Sequence, residues 1–158
     1  MARRRRPEKR KTEPDPVFQS PLLAKFINKV MIEGKKAKAR NIVYKAVKKF
    51  AARVKKEAEP LAAFEEALEN AKPSLEVKSR RIGGATYQVP IEIPHDRKTS
   101  LAMRWIIQYS RAKPGKSMVE SLQGELYDCF NNQGPTIKKK DDTHRMAEAN
   151  KAFAHYKW

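Results

Sequence analysis

Ser74-Leu75-Glu76-Val77-Lys78-Ser79-Arg80-Arg81-Ile82-Gly83-Gly84-Ala85-Thr86-Tyr87-Gln88-Val89-Pro90-Ile91-Glu92-Ile93-Pro94 alternates in twos, while the segments on either side repeat in threes and fours. That change of period marks a β-hairpin, at about residues 74–94, set into a helical chain. Leu75 and Val77 point one way, and Val89, Ile91 and Ile93 share a face on the second arm; Lys78, Arg80, Arg81 and Gln88 are left for the other face and the turn. A two-residue Gly83-Gly84 turn opposes Val77 to Pro90. A three-residue Ile82-Gly83-Gly84 loop opposes Val77 to Val89 and Leu75 to Ile91, brings the two apolar sets together, and is the expected register. Pro90 offers no N–H to a further strand, which suits a free-standing ribbon. A lone hairpin is marginal in water, so its root is expected to pack on helices while its Arg-rich tip projects. Arms of this length reach roughly 25 Å.

The chain has 158 residues, 35 Lys or Arg against 18 Asp or Glu, and a formal net charge of +17. Self-repulsion on that scale is relieved by a polyanion, so nucleic acid is the first partner to consider. No apolar run approaches the roughly 20 residues of a membrane-spanning helix. The basic N-terminus lacks the apolar stretch of a secretory signal. Cys129 is the single cysteine, which excludes a disulfide framework and a Cys-pair zinc site.

Residues 1–12 hold seven Lys or Arg and almost nothing apolar, and read as a basic tail, disordered until it meets phosphate. Residues 13–158 read as one helical domain. Ser20 and Pro21 announce a first helix, with Leu22, Leu23, Phe26, Ile27, Val30 and Met31 inward and Gly34 as its stop. Lys35, Lys36 and Lys38 lie at the turn into a second helix, whose inner face is Ala39, Ile42, Val43, Ala46, Val47, Phe50 and Val54. A third helix runs between Pro60 and Pro73; its carboxylates make it the acidic element, expected to face away from a polyanion. Thr99 or Ser100 is expected to cap a fourth, central helix through Tyr109. After the Lys113-Pro114-Gly115-Lys116 turn, Ser117 and Glu120 form a capping box for a fifth, in which Cys129 fills core. A sixth is expected from about Lys138 to near the C-terminus, with Met146, Ala149 and Phe153 inward. The aromatic end, Phe153 to Trp158, is suited either to stacking on unpaired bases or to packing back on the body.

A catalytic site does not assemble from these residues. His95, His144 and His155 lack metal-ligand spacing, and Asp141-Asp142-Thr143-His144 reads as a helix start with acids at its positive end. Gly83-Gly84 lacks the Gly-Lys-Ser/Thr ending of a phosphate loop. No cofactor is expected. Two competing readings remain: an architectural DNA-bending protein, for which Ile82 is the only wedge near the ribbon tip, and an RNA-processing enzyme.

Four stretches together resemble the bacterial form of small-subunit ribosomal protein seven. They are Ser20 through Gly34-Lys35-Lys36 to Ala46, Val77 to Pro90, Leu101-Ala102-Met103-Arg104-Trp105, and Arg145 to Trp158. The resemblance implies a mainly α, six-helix domain with a protruding two-stranded antiparallel ribbon. It implies direct binding to the 3′ major domain of 16S rRNA and nucleation of the 30S head. It also implies a place at the exit site, beside tRNA and mRNA and near ribosomal protein eleven. Carried over residue by residue, the rRNA-binding set is Arg3, Arg4, Arg5, Arg6, Arg10, Lys35, Lys36, Lys78, Arg80 and Arg81, joined by the turn cations Lys113 and Lys116. The side facing tRNA and mRNA takes Gly83, Gly84, Arg145 and Lys151. The chain departs from the family pattern at Lys55 to Glu59 and at Ile93 to Asp96, which puts any family contact carried by residues 94–98 in doubt.

Overall fold

The computed structural model describes residues 12–55 and 59–156. Arg3, Arg4, Arg5, Arg6, Arg10 and Trp158 therefore lie outside the described residues. The elements in order are α1 (Pro21–Val30), α2 (Lys36–Arg53), α3 (Pro60–Ala71), β1 (Leu75–Ile82), β2 (Ala85–Glu92), α4 (His95–Ala112), α5 (Met118–Phe130), α6 (Gly134–Ala149) and a C-terminal 3₁₀ helix (Lys151–Tyr156). Six helices and a two-stranded antiparallel ribbon are the architecture expected from the alternating stretch and its flanks.

α1 and α5 begin where a side chain satisfies their first N–H groups. Ser20 accepts from the Leu23 N–H at the head of α1, where Pro21 needs no partner. Ser117 and Glu120 close a reciprocal capping box on α5. Leu23, Phe26 and Ile27 of α1, Val43 and Phe50 of α2, and Phe64 and Leu68 of α3 enter one core. Met103 and Ile106 of α4, Leu122, Leu126 and Cys129 of α5, and Ile137 of α6 complete it. Phe26 and Phe64 meet edge to face at 5.2 Å. A large apolar side chain buried this fully contributes roughly 1.5–3 kcal/mol. α4 packs on α1, α3, α5 and α6, the central position its apolar character predicts.

Three helix boundaries differ from expectation, and with them the inward stripe of α6. α1 ends at Val30, because Met31 turns extended; Gly34, with φ +70°, serves the turn that follows and not the helix cap. α4 begins at His95, four residues before the expected cap. Pro94 presets the entry, its carbonyl takes the Arg97 and Lys98 N–H groups, and the Thr99 hydroxyl donates back to the His95 carbonyl from inside the helix. α6 begins at Gly134 with Pro135 in its first turn, so Asp141 to His144 sit in mid-helix. Its inward stripe is Thr136, Ile137, Thr143 and Ala147; Met146 and Ala149 face out, and Phe153 belongs to the 3₁₀ helix.

The ribbon register also differs. Ile82 pairs with Ala85, Lys78 with Val89 and Val77 with Pro90, so the loop is the two-residue Gly83-Gly84 turn. Both glycines have positive φ, +55° and +91°, the primed turn whose twist matches the flanking strands. Leu75 and Val77 consequently lie on the face opposite Val89 and Ile91. The expected register assumed one apolar face. The root is instead covered from both sides: Glu76, on the Val89 face, is buried beneath Arg97 of α4, while Leu75 and Pro90 line a groove with Ala147 of α6.

Candidate nucleic-acid interface

Lys25 and Lys29 stand four residues apart on α1, and Arg104 and Arg111 seven apart on α4, spacings that keep each pair on one helix face. Because α1 packs on α4, the pairs converge along one seam. Lys29, Arg104 and Arg111, with Ile107 and Gln108, line a groove of about 360 Å³ there. A neighbouring groove holds Lys25, Asn28, Lys29 and Ser100. The geometry of the seam is fixed by hydrogen bonds: the Lys29 ammonium donates to the Ser100 hydroxyl at 2.9 Å, and Arg111 donates to the Val30 carbonyl at 3.1 Å. Partial burial, and next the Arg104 charge, lower the Lys29 pKa. An anion seated between these cations would offset that repulsion.

Lys35 and Lys36 are exposed at the α1–α2 turn, with Lys35 paired to Glu33. In the ribbon Lys78 lies 3.6 Å from Glu76, which accepts a fork from Arg97 at 2.8 Å. The hydrogen bond that Arg97 donates to Glu76 raises the Arg97 pKa against the cost of its own desolvation. Arg97 is thereby a structural cation at the ribbon root. Arg81 is exposed beyond the root, across from Thr86, and Gly83 and Gly84 form the exposed tip. Lys116 is exposed on the α4–α5 turn, but Lys113 is turned inward. Its ammonium lies 2.8 Å from Glu125, which is fully buried, and 3.3 Å from Asp128. Glu125 Oε1 accepts from the Thr136 hydroxyl at 2.7 Å, whereas Oε2 makes no aligned hydrogen bond and relies on the Lys113 charge. Lys113 is an internal counterion.

Arg145 pairs with Asp142, and Lys151 lies 3.4 Å from Glu148, both at the surface. Exposed pairs of this kind contribute little and exchange readily for phosphate. The structure brings the ribbon and the C-terminal end together: Arg80 donates to the Tyr156 carbonyl, and the Tyr87 ring lies 5.3 Å from Phe153 and 5.2 Å from Tyr156. Tyr156 thus packs back on the ribbon.

The α1–α4 seam was absent from the residues picked out by sequence. Its signal was present in the four- and seven-residue cation spacings, but only tertiary packing shows that the two faces meet. Glu65, Glu66 and Glu69 are exposed on α3, on the side away from its buried residues Ala63, Phe64, Ala67 and Leu68. Cys129 is buried, and desolvation, with Glu125 second, pushes its thiol pKa up to about 12. Among the described residues no group of three or more His, Cys, Asp or Glu is placed to hold a metal, and no helix is long and apolar enough to cross a membrane.

The family model for ribosomal protein S7p/S5e matches residues 2–151. Over all 158 residues, and the full length of the relative, the chain is 71% identical to the small ribosomal subunit protein uS7 of Protochlamydia amoebophila (strain UWE25). It is 63% identical over the same span to the proteins of that name from Chlamydia trachomatis serovar L2 and Chlamydia felis. The resemblance seen in four stretches therefore extends along the chain.

Proposed function

The chain belongs to the ribosomal protein S7p/S5e family, a structural, RNA-binding component of the small ribosomal subunit, and from that premise we propose that it binds the 3′ major domain of 16S rRNA directly and nucleates the 30S head. Its work in the ribosome, in the cytoplasm, is positional and not catalytic. The observation that carries the reading is the cationic α1–α4 seam, in which Lys25, Lys29, Arg104 and Arg111 are held on a rigid helical body. Such a row neutralises phosphates brought together at an RNA junction and releases their counterions. Lys35, Lys36, Lys78, Arg80, Arg81 and Lys116, with Arg3, Arg4, Arg5, Arg6 and Arg10 of the tail, extend the rRNA contact. Because side chains read A-form grooves poorly, junction shape supplies the specificity. Gly83, Gly84, Arg145 and Lys151 face exit-site tRNA and mRNA, with ribosomal protein eleven a neighbour.

The test is a salt titration of binding to 3′ major-domain junction RNA, with duplex DNA of equal length as competitor. The expected result is competitor-resistant binding whose log–log slope is about −0.7 to −0.9 per neutralised phosphate. A Lys25→Ala/Arg104→Ala variant is expected to make that slope shallower by about 2 with its melting temperature unchanged. Equal affinity for the duplex DNA overturns the reading and favours an architectural DNA-bending protein.

A further inference from the structure

The ribbon is held at three levels. At its base the Ser74 N–H donates to His144 Nε2 of α6 at 3.0 Å, and the Ile93 N–H donates to the Ser74 carbonyl at 3.2 Å. One step out, buried Glu76 is clamped by Arg97 of α4. The third level is well out along the arms, at the cross-strand pair Arg80 and Tyr87, beyond which only the pairs Arg81–Thr86 and Ile82–Ala85 remain. There Tyr87 meets both Phe153 and Tyr156, whose rings are stacked at 6.4 Å with 11° between their planes, and Arg80 donates to the Tyr156 carbonyl. Beyond this level come Arg81, Ile82, the two glycines, Ala85 and Thr86, all exposed except half-buried Ile82.

We propose that the C-terminal 3₁₀ helix is a strut that aims the ribbon, with Tyr87 as its positioning residue. A two-stranded ribbon is weak by itself, and here each arm is only eight residues long. Bracing at Arg80 and Tyr87 shortens the unsupported part to a six-residue tip. An RNA partner then meets Arg81 and the tip already oriented, and less conformational freedom is lost on binding. Tyr87 is uncharged, so its contribution to binding is one of order and not of counterion release. The opposite role, a clasp that withholds Arg80 from RNA, predicts the opposite sign on removal.

The affinity arm rests on the RNA-binding reading; the ribbon-order arm does not. The experiment uses the full chain as wild type, Tyr87→Ala and Tyr87→Phe. In the free protein, amide hydrogen exchange of Lys78 to Gln88 is expected to quicken about tenfold or more in Tyr87→Ala, since two aromatic contacts are lost, and to stay near wild type in Tyr87→Phe, which keeps the ring. The helical melting transition is expected to remain, because Tyr87 lies outside the core. Affinity for the junction RNA is expected to fall about three- to tenfold in Tyr87→Ala with an unchanged salt slope, and Tyr87→Phe to restore it. Unchanged ribbon exchange in Tyr87→Ala overturns the strut. So does tighter RNA binding, which shows a clasp, or a loosened ribbon with undiminished affinity, which shows packing without a role in aim. Failure of all three proteins to prefer junction RNA over duplex DNA counts against the RNA-binding reading alone and leaves the exchange result to decide the strut.

Discussion

Replacing Lys113 with Ala is expected to destabilise the fold, and not merely to delete one cation from a basic surface. Glu125 has no exposed side-chain surface, and Lys113 itself retains 28%. Thr136 donates twice to Glu125 Oε1, through its hydroxyl at 2.7 Å and its N–H at 3.3 Å, so half of the carboxylate stays compensated. Oε2 loses the ammonium 2.8 Å away. Breaking a buried pair by removing one partner costs about 3–5 kcal/mol. Water reaching the open side of Lys113 screens part of that, which leaves about 2 kcal/mol. For a chain of this size the melting temperature is expected to fall by about 4–8 °C. A Lys113→Ala/Glu125→Gln pair is expected to recover part of the loss, because a neutral amide needs no counterion.

The pH dependence follows. Burial lowers the Lys113 pKa, but Glu125 and then Asp128 raise it by more, and the net shift is upward. A base with a raised folded pKa stabilises fully below its unfolded value of about 10.4 and loses that contribution as pH rises through the folded one. The gap between wild type and Lys113→Ala is therefore widest at neutral pH and closes in strong alkali. Thermal melts across that range, beside Lys116→Ala as the exposed control, measure it. A Lys113→Ala protein that melts like wild type while its RNA salt slope drops by about 1 refutes the counterion argument and restores Lys113 to the phosphate-contacting set.

Two further outcomes are expected. Gly134→Ala places a Cβ 2.8 Å from Asp128 Cβ at a φ of +86°, so it is expected to cost about 2 kcal/mol or more. Gly84→Ala, at φ +91° with open space around it, is expected to cost only about 1–2 kcal/mol, and equal losses in chemical denaturation would show that crowding at Gly134 is relieved. His144 accepts the Ser74 N–H only when neutral; burial first and Lys140 second lower its pKa, with Asp141 opposing. Stability from this bond is full above about pH 6.5 and declines as pH falls below that value, so melting curves of wild type and His144→Ala should converge toward acid; parallel curves would refute the anchor.

Much of this protein was legible without coordinates, because its signals are local. A change from threefold and fourfold spacing to strict alternation located the ribbon. Ser20-Pro21 and the Ser117–Glu120 box located helix starts, since the groups that satisfy the first N–H donors lie within four residues of them. The net charge pointed to a polyanion, in keeping with a family of RNA-binding proteins.

What tertiary structure alone decided involves residues far apart in sequence. Alternation fixes which residues share a face within one arm, but the pairing of two arms depends on whether the loop holds two residues or three, and here the backbone of Gly83 and Gly84 took the primed two-residue turn. That register is tolerated because α4 and α6 cover the root from both sides, which no local pattern announces. Lys113 and Lys116 look alike in a four-residue turn. One is drawn inward by a carboxylate buried on α5, and the other is left in water, because a charge follows the dielectric and the partners around it and those are set by packing.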